Sequence, residues 1–240
     1  MKSNIVFYGN ANHGKSTLIG HMVAEMKSPQ INLDKMERFY RQEFGYLYRP
    51  DLLYTWLMNK DKWKSGLVPD ELTGIYKEGH IINETGESLD NTLRAVTLEI
   101  GGKDVDFTLI DTPGQHPETR DKVLHLGEMG VFCVEIGQVL KPDFNDSYFD
   151  EYEIWSKITN IPNAKPIILL TKIDGHFSEE AYLEASEKVR IYGDYDESPI
   201  IPIAVIVKER RSINVFGQSA ETPWYDGPTV IDTIKQFAQE

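Results

Sequence analysis

Residues 9–17 read GNANHGKST, set between the apolar run NIVFY (4–8) and the stretch LIGHMVAEM (18–26). Gly9, Gly14, Lys15 and Ser16 fit the spacing G-x-x-x-x-G-K-[ST]. That spacing has a mechanism. Glycines let the backbone curl so that successive N–H groups point inward at phosphate oxygens, and a helix starting near Ser16 adds its positive N-terminal end. Lys15 is placed to reach the β- and γ-phosphates, and Ser16 to offer its hydroxyl to Mg²⁺. The whole loop, Gly9, Asn10, Ala11, Asn12, His13, Gly14, Lys15, Ser16 and Thr17, reads as a phosphate cradle. The strand before it and the helix after it set this reading apart from an ordinary strand–helix turn.

Working outward, apolar β-rich runs recur at 95–100, 105–110, 130–136, 165–170 and 198–207. Near-continuous apolar runs suit strands buried on both faces, as in a parallel sheet. Helical stretches at 16–26, 118–128, 147–159, 178–190 and 228–239 alternate with them. The expectation is a doubly wound α/β domain with a mostly parallel sheet, spanning 1–240 as a single unit. Residues 28–91 interrupt the alternation. They are polar and aromatic-rich, with helices expected around 33–48 and 50–61, and they exceed an ordinary connection many times over. An extended helical insertion is predicted there, a place for a regulatory or partner-binding element. Its aromatics, among them Phe39, Tyr40, Trp56 and Trp63, suit packing of the inserted helices on the sheet.

Bulk properties exclude several classes. The chain has 240 residues, and its formal net charge of −13 repels phosphate backbones, which argues against direct nucleic-acid binding. The lone Cys133 cannot build a disulfide framework and fits a buried strand position. No basic-then-apolar leader opens the chain and no apolar stretch reaches the length of a membrane span, so a cytosolic protein without membrane attachment is expected. The histidines lack the paired spacing of a zinc site.

Two further stretches name the base. TLIDTPGQ (108–115) places Asp111 just past an apolar run, where a carboxylate orients Mg²⁺, and Gly114 brings a backbone N–H near the γ-phosphate. ILLTKID (168–174) ends another run. A carboxylate at Asp174 accepts hydrogen bonds from guanine N1–H and the exocyclic amine, donors that adenine lacks at those positions. The stem of Lys172 covers the base face, next to Thr171. An ATP-using kinase would leave the Asp174 charge desolvated and unpaired. Three motifs in order, each at a strand's C-terminal end, point to GTP or GDP.

These residues resemble the G domain of translational GTPases, the elongation factor Tu and elongation factor 1-alpha group. GNANHGKSTLIGHM is similar to that group's G-H-V-D-H-G-K-S-T-L-x-G loop, DTPGQ to its D-x-P-G-H, and TKID to N-K-x-D. YTWLMNKDK (54–62) and TPWYDGPTVIDTI (222–234) resemble the segment before the first switch and the stretch closing the G domain. The resemblance implies GTP and Mg²⁺ binding, GTP hydrolysis and nucleotide-dependent switches.

The departures assign roles. Gln115 stands where the family has the histidine that positions water, so that role passes to Gln115, with His116 as the fallback. Asn12 replaces an aspartate, as in potassium-activated GTPases, where an asparagine holds K⁺ beside the phosphates. Thr92 matches the spacing of the switch I threonine that closes over Mg²⁺, whereas Thr97 falls inside a strand. The usual lead-in is replaced by GHIINETGESLD. Ala204 takes the place of a serine, leaving its backbone N–H for the base carbonyl. The family's C-terminal β-barrels have no counterpart within these 240 residues, so tRNA delivery is not expected to carry over. A slow GTPase stimulated by a partner (a ribosome, or a protein bound through 28–91) or by a monovalent cation is expected, with a non-hydrolysing GTP/GDP-binding module as the alternative.

Overall fold

The computed structural model describes residues 2–10, 12–26, 94–99, 106–112, 127–144, 166–175, 178–193, 198–206, 209 and 211–237. Ala11, the 28–91 insertion, Thr92, Gly114, Gln115, His116 and the helix expected at 147–159 lie outside them.

The NIVFY run forms strand β1 (Lys2–Tyr8). Strands β2 (Arg94–Glu99), β3 (Asp106–Asp111), β4 (Met129–Glu135), β5 (Ile167–Thr171) and β6 (Ile200–Pro202) complete a six-stranded sheet in the order β2-β3-β1-β4-β5-β6. Only β2 runs antiparallel to its neighbour; every other pairing is parallel. Such a sheet needs apolar cover on both faces, and strand periodicity sorts its residues accordingly. Ile5, Phe7, Leu109, Val131, Cys133, Ile167 and Leu169 face one core. Their neighbours Val6, Tyr8, Ile110, Phe132, Val134, Ile168 and Leu170 face the other.

Helices cover each side. Helix α1 (Lys15–Glu25) packs Leu18, Ile19 and Met22 into the first core. The short α2 (Ile136–Val139) and the longer α3 (Glu179–Gly193) supply Ile136, Val139, Ala185 and Val189 to the second. Helix α4 (Val230–Phe237) returns to the first with Val230, Ile231 and Ile234. Thr229 caps α4, its hydroxyl accepting from the Asp232 N–H at 3.2 Å and donating to the Asp232 carboxylate at 2.7 Å. The doubly wound, mostly parallel architecture expected from the alternation is therefore present.

Two expectations are corrected. The run 198–207 is not one strand. Pro202 has no N–H to continue a ladder, and Ile203 makes the last bond to β5, donating to the Leu170 carbonyl at 2.8 Å. The chain then leaves the sheet, and β7 (Ala204–Ile206) pairs antiparallel with β8 (Arg211–Ile213). Asn214, buried and in the left-handed region at φ 54°, fixes this exit. Its amide donates to the Pro202 carbonyl at 2.9 Å and to Thr222 Oγ1 at 3.0 Å, while its carbonyl accepts from the Ser219 N–H. Of the helix expected over 118–128 only the last two positions are among the described residues, and they are not helical: Glu128 donates its N–H to the Asn4 carbonyl on the approach to β4.

Gly9 sets the spacing between β1 and β4. It has φ 131°, and a Cβ placed there would lie 2.3 Å from the Cys133 carbonyl oxygen. Gly9→Ala is expected to lower stability by about 2–3 kcal/mol, since neither strand can retreat from two packed cores. Urea unfolding of the two proteins checks this; an unchanged midpoint would mean that the two strands part easily.

Candidate functional site

The parallel register brings strand ends into one row. Tyr8 pairs with Phe132 and Glu135 with Thr171, so the loop after β1, the end of β4 and the turn after β5 are neighbours at one edge. Ligands in open α/β sheets bind at this carboxyl edge.

The loop after β1 is shaped by backbone conformation. Asn12 and Gly14 both have positive φ, 65° and 83°, and Asn12 is exposed. Asparagine accepts that geometry readily. Gly14 caps α1 with no side-chain hydrogen bond, and no acidic residue occupies the helix's first turn. The positive end of α1 thus carries no acidic residue of its own first turn, which suits an anion. Lys15 is buried, and its ammonium donates to the loop carbonyls of Gly9 at 2.6 Å and Asn10 at 2.8 Å. The charge is held inside the curl, where phosphate oxygens would meet it.

Ser16 and Asp111, ninety-five positions apart, meet: the Ser16 hydroxyl donates to Asp111 Oδ2 at 2.6 Å. Asp111 is buried at the end of β3, which Thr112 anchors by donating its hydroxyl to the Phe7 carbonyl at 2.8 Å. A hydroxyl and a carboxylate in contact are hard oxygen donors of the type Mg²⁺ prefers. The donor set fits the ion that the sequence motif implies.

His13 is buried and donates from Nδ1 to the Cys133 carbonyl at 3.1 Å in the matching tautomer. Burial, reinforced by the nearby Lys15 charge, lowers its pKa to about 4. The histidine is therefore a neutral clamp between loop and sheet. His21 on α1, edge-on to Phe216, is also lowered to about 4 by burial alone. The Cys133 thiol is pushed up to about 12 by burial and is inert as a nucleophile.

A cleft of about 440 Å³ runs along this edge, lined among others by Gly14, Thr17, Thr171, Lys172, Asp174 and Ala204. Lys172 has φ 59° and leads into a 3₁₀ turn over Ile173–Gly175 that carries Asp174 into the cleft wall with an exposed side chain. Thr171 is tied into the sheet, its hydroxyl donating to the Val134 carbonyl at 3.3 Å. The volume suits a mononucleotide-sized ligand. Of the residues singled out from sequence, the loop, Ser16, Asp111, Thr171, Lys172, Asp174 and Ala204 gather at one edge; Thr97 lies within β2, as expected.

Sequence reading missed Glu135. It lies in the same cleft wall and forms an ion pair with Lys172, Oε2 to Nζ 2.8 Å. The available signal was a carboxylate closing an otherwise apolar strand, as Asp111 closes β3. Gly137, Gly175, Ile203 and Val205 also line the cleft and carry no chemical signature in the sequence.

This architecture is the G-domain fold of P-loop GTPases. In structure the chain is similar to the Saccharomyces cerevisiae Ski7 GTPase-like domain bound to GTP, with a TM-score of 0.66 and 18% identity over 100% of this chain and 50% of that one. It is also similar to Sup35 complexed with GDP, with a TM-score of 0.53 and 16% identity over 97% of this chain and 44% of that one. In sequence it is similar to elongation factor 1-alpha of Methanothrix thermoacetophila, 24% identical over 249 residues, covering 98% of this chain and 50% of that protein. Elongation factor 1-alpha of Archaeoglobus fulgidus is 23% identical over 245 residues, covering 96% and 48%. No protein-family model matches the chain. The resemblance to translational GTPase G domains thus runs along nearly the whole chain, which spans about half the length of the curated relatives it matches. It supports a G domain of the GTP-binding kind.

The two neutral histidines give stability a pH dependence of fixed sign. Folded pKa values of about 4 lie below the unfolded 6.5, so the unfolded chain binds more protons and stability falls as pH drops from 6.5 toward 4. Each contributes a slope of up to about 1.4 kcal/mol per pH unit. Urea unfolding at a series of pH values above the carboxylate range should give a lower slope for His21→Phe than for the unchanged chain. Equal slopes would mean that His21 is protonated in the fold.

Proposed function

We propose that this chain is a single GTP-binding domain, 1–240, that hydrolyses GTP to GDP and phosphate as a nucleotide-dependent switch. The observation that supports it best is the gathering of three separate motifs at one sheet edge: Gly14 and Thr17 of the loop and Lys172 with Asp174 line one cleft, and the Ser16–Asp111 pair lies at the start of the same helix. An anion-binding loop alone suits many nucleotides. Asp174 selects guanine, since its carboxylate matches the N1–H and amine edge and would stand unpaired against adenine.

The roles follow from chemistry. Gly9, Asn10, Ala11, Asn12, His13, Gly14 and Thr17 shape the loop that takes the phosphates, with Lys15 neutralising their charge. Ser16, Asp111 and Thr92 would hold Mg²⁺, which supplies charge neutralisation across the β- and γ-phosphates when bound. Gly114 offers a backbone N–H to the γ-phosphate, and the Ala204 N–H serves the base carbonyl beside Thr171. Gln115 orients a water molecule for in-line attack on the γ-phosphorus; the bond to the bridging oxygen breaks, and GDP carries away the electron pair. Without an arginine finger turnover is slow, and a partner docked on 28–91, a ribosome among the candidates, or K⁺ held by Asn12 would raise it. We place the protein in the cytosol, without membrane attachment.

A second reading is a non-hydrolysing GTP/GDP module, favoured by the replacement of the switch I lead-in with GHIINETGESLD. Single-turnover GTP hydrolysis in potassium buffer, with and without ribosomes, separates the two when paired with binding of a fluorescent GDP analogue. The switch reading expects Gln115→Ala to keep binding and to lose turnover by about a hundredfold, the scale of a misplaced reactant. Binding without turnover in either protein would leave the non-hydrolysing module. Competition by ATP as strong as by GTP would remove the guanine assignment altogether.

A further inference from the structure

We propose that Glu135 is a positioning residue for the base subsite, holding Lys172 in place through their ion pair so that the lysine stem is already laid across the cleft when a purine arrives. The inference rests on the guanine-nucleotide reading above and assigns a residue that no motif includes.

Three observations carry it. Glu135 is the last residue of β4, and the register sets it beside Thr171, the residue preceding Lys172. Its Oε2 lies 2.8 Å from Lys172 Nζ, and both side chains line the cleft that Asp174 also enters. The Lys172 backbone is itself turned into the left-handed region at φ 59°, which a non-glycine residue adopts only where its surroundings hold it. Lys172 is thus fixed at both ends: its backbone by the turn that follows β5, its ammonium by a carboxylate from the adjacent strand.

The strand order makes this position special. β4 lies between β1, which carries the phosphate loop, and β5, which carries the guanine motif. A carboxylate at the end of β4 reaches the lysine from the strand between the two, while Lys15 places its charge within the loop. An untethered lysine stem would lose rotamer freedom on covering a base; one already tethered loses less, and the difference appears as affinity. The pair is partly exposed, 45% for the Lys172 side chain and 24% for that of Glu135, so solvent screening keeps its worth small. An effect of about two- to fivefold in Kd is the appropriate scale for such a pair.

The test is a double-mutant cycle on the full chain, read as the Kd of N-methylanthraniloyl-GDP, with Glu135→Ala, Lys172→Ala and the double variant. The expected result is that Glu135→Ala weakens binding about two- to fivefold in the unchanged chain and has no effect once Lys172 is alanine. Glu135→Gln, which keeps an acceptor for the ammonium, should fall between. A loose structural defect would instead weaken binding equally in both backgrounds, and that additive outcome overturns the proposal, as does unchanged affinity in Glu135→Ala. Should Glu135→Ala fail to fold, Glu135→Gln runs the same cycle with the same criterion. Failure of the unchanged chain to bind the GDP analogue overturns the guanine reading itself and this inference with it; binding with an additive cycle overturns the inference alone.

Discussion

The approach of Gly9 to the Cys133 carbonyl fixes how β1 and β4 sit together at the edge where all the polar chemistry gathers. A side chain at Gly9 would meet that oxygen at 2.3 Å, and His13 donates to the same oxygen from the middle of the loop. One backbone carbonyl of β4 thereby locates both the start and the middle of the phosphate loop. Because side chains alternate along strands, a slip of one residue between β1 and β4 would exchange the two cores as well as misplace the loop. Packing on both faces and the geometry of the site therefore enforce the same register.

Electrostatics at this edge run against the character of the whole molecule. The chain carries a net charge of −13, yet the loop region presents a buried ammonium, the positive end of α1 and a histidine kept neutral by its surroundings. Were His13 charged, it would add a second cation beside Lys15 in a dry setting, and desolvation opposes that state. A net charge of that sign disfavours phosphorylated polymers in general, while a helix N-terminus and a buried ammonium at one edge suit a small anion. Carboxylates are placed selectively: Asp111 contacts Ser16, Asp174 enters the cleft wall, and Glu135 is bound to Lys172.

The Asp174 end of the cleft depends on how the chain leaves the sheet after β6. Pro202 ends the ladder, Asn214 receives the freed segment, and Ala204 is left in the cleft wall. Asn214 also reaches Thr222, at the head of the TPWY stretch, where Trp224 and Tyr225 pack against Tyr182 of α3. The closing segment that resembles elongation factor 1-alpha is thus tied, through a single buried amide, to the end of β6 beside the cleft.

The sequence by itself determined the fold class and, among the described residues, the motifs that meet at one sheet edge. Local motifs state their own chemistry: a Gly-bounded loop with Lys15 and Ser16, a carboxylate closing an apolar run at Asp111, and another at Asp174. Apolar runs of strand length located every strand of the main sheet, because two-sided burial leaves little room for polar residues. Pairings that depend on which strands become neighbours were decided only by tertiary structure. The sequence run 198–207 carries a local break at Pro202, but where the chain goes after it is decided by Asn214, which arrives from a later turn. Glu135 looked like the polar end of a strand; it became part of the cleft because β4 lies beside β5 and their register sets it next to Thr171. The spacing of residues along the chain carries the chemistry of each motif, but the order of strands in the sheet decides which motifs face one another, and strand order is a property of the packed whole.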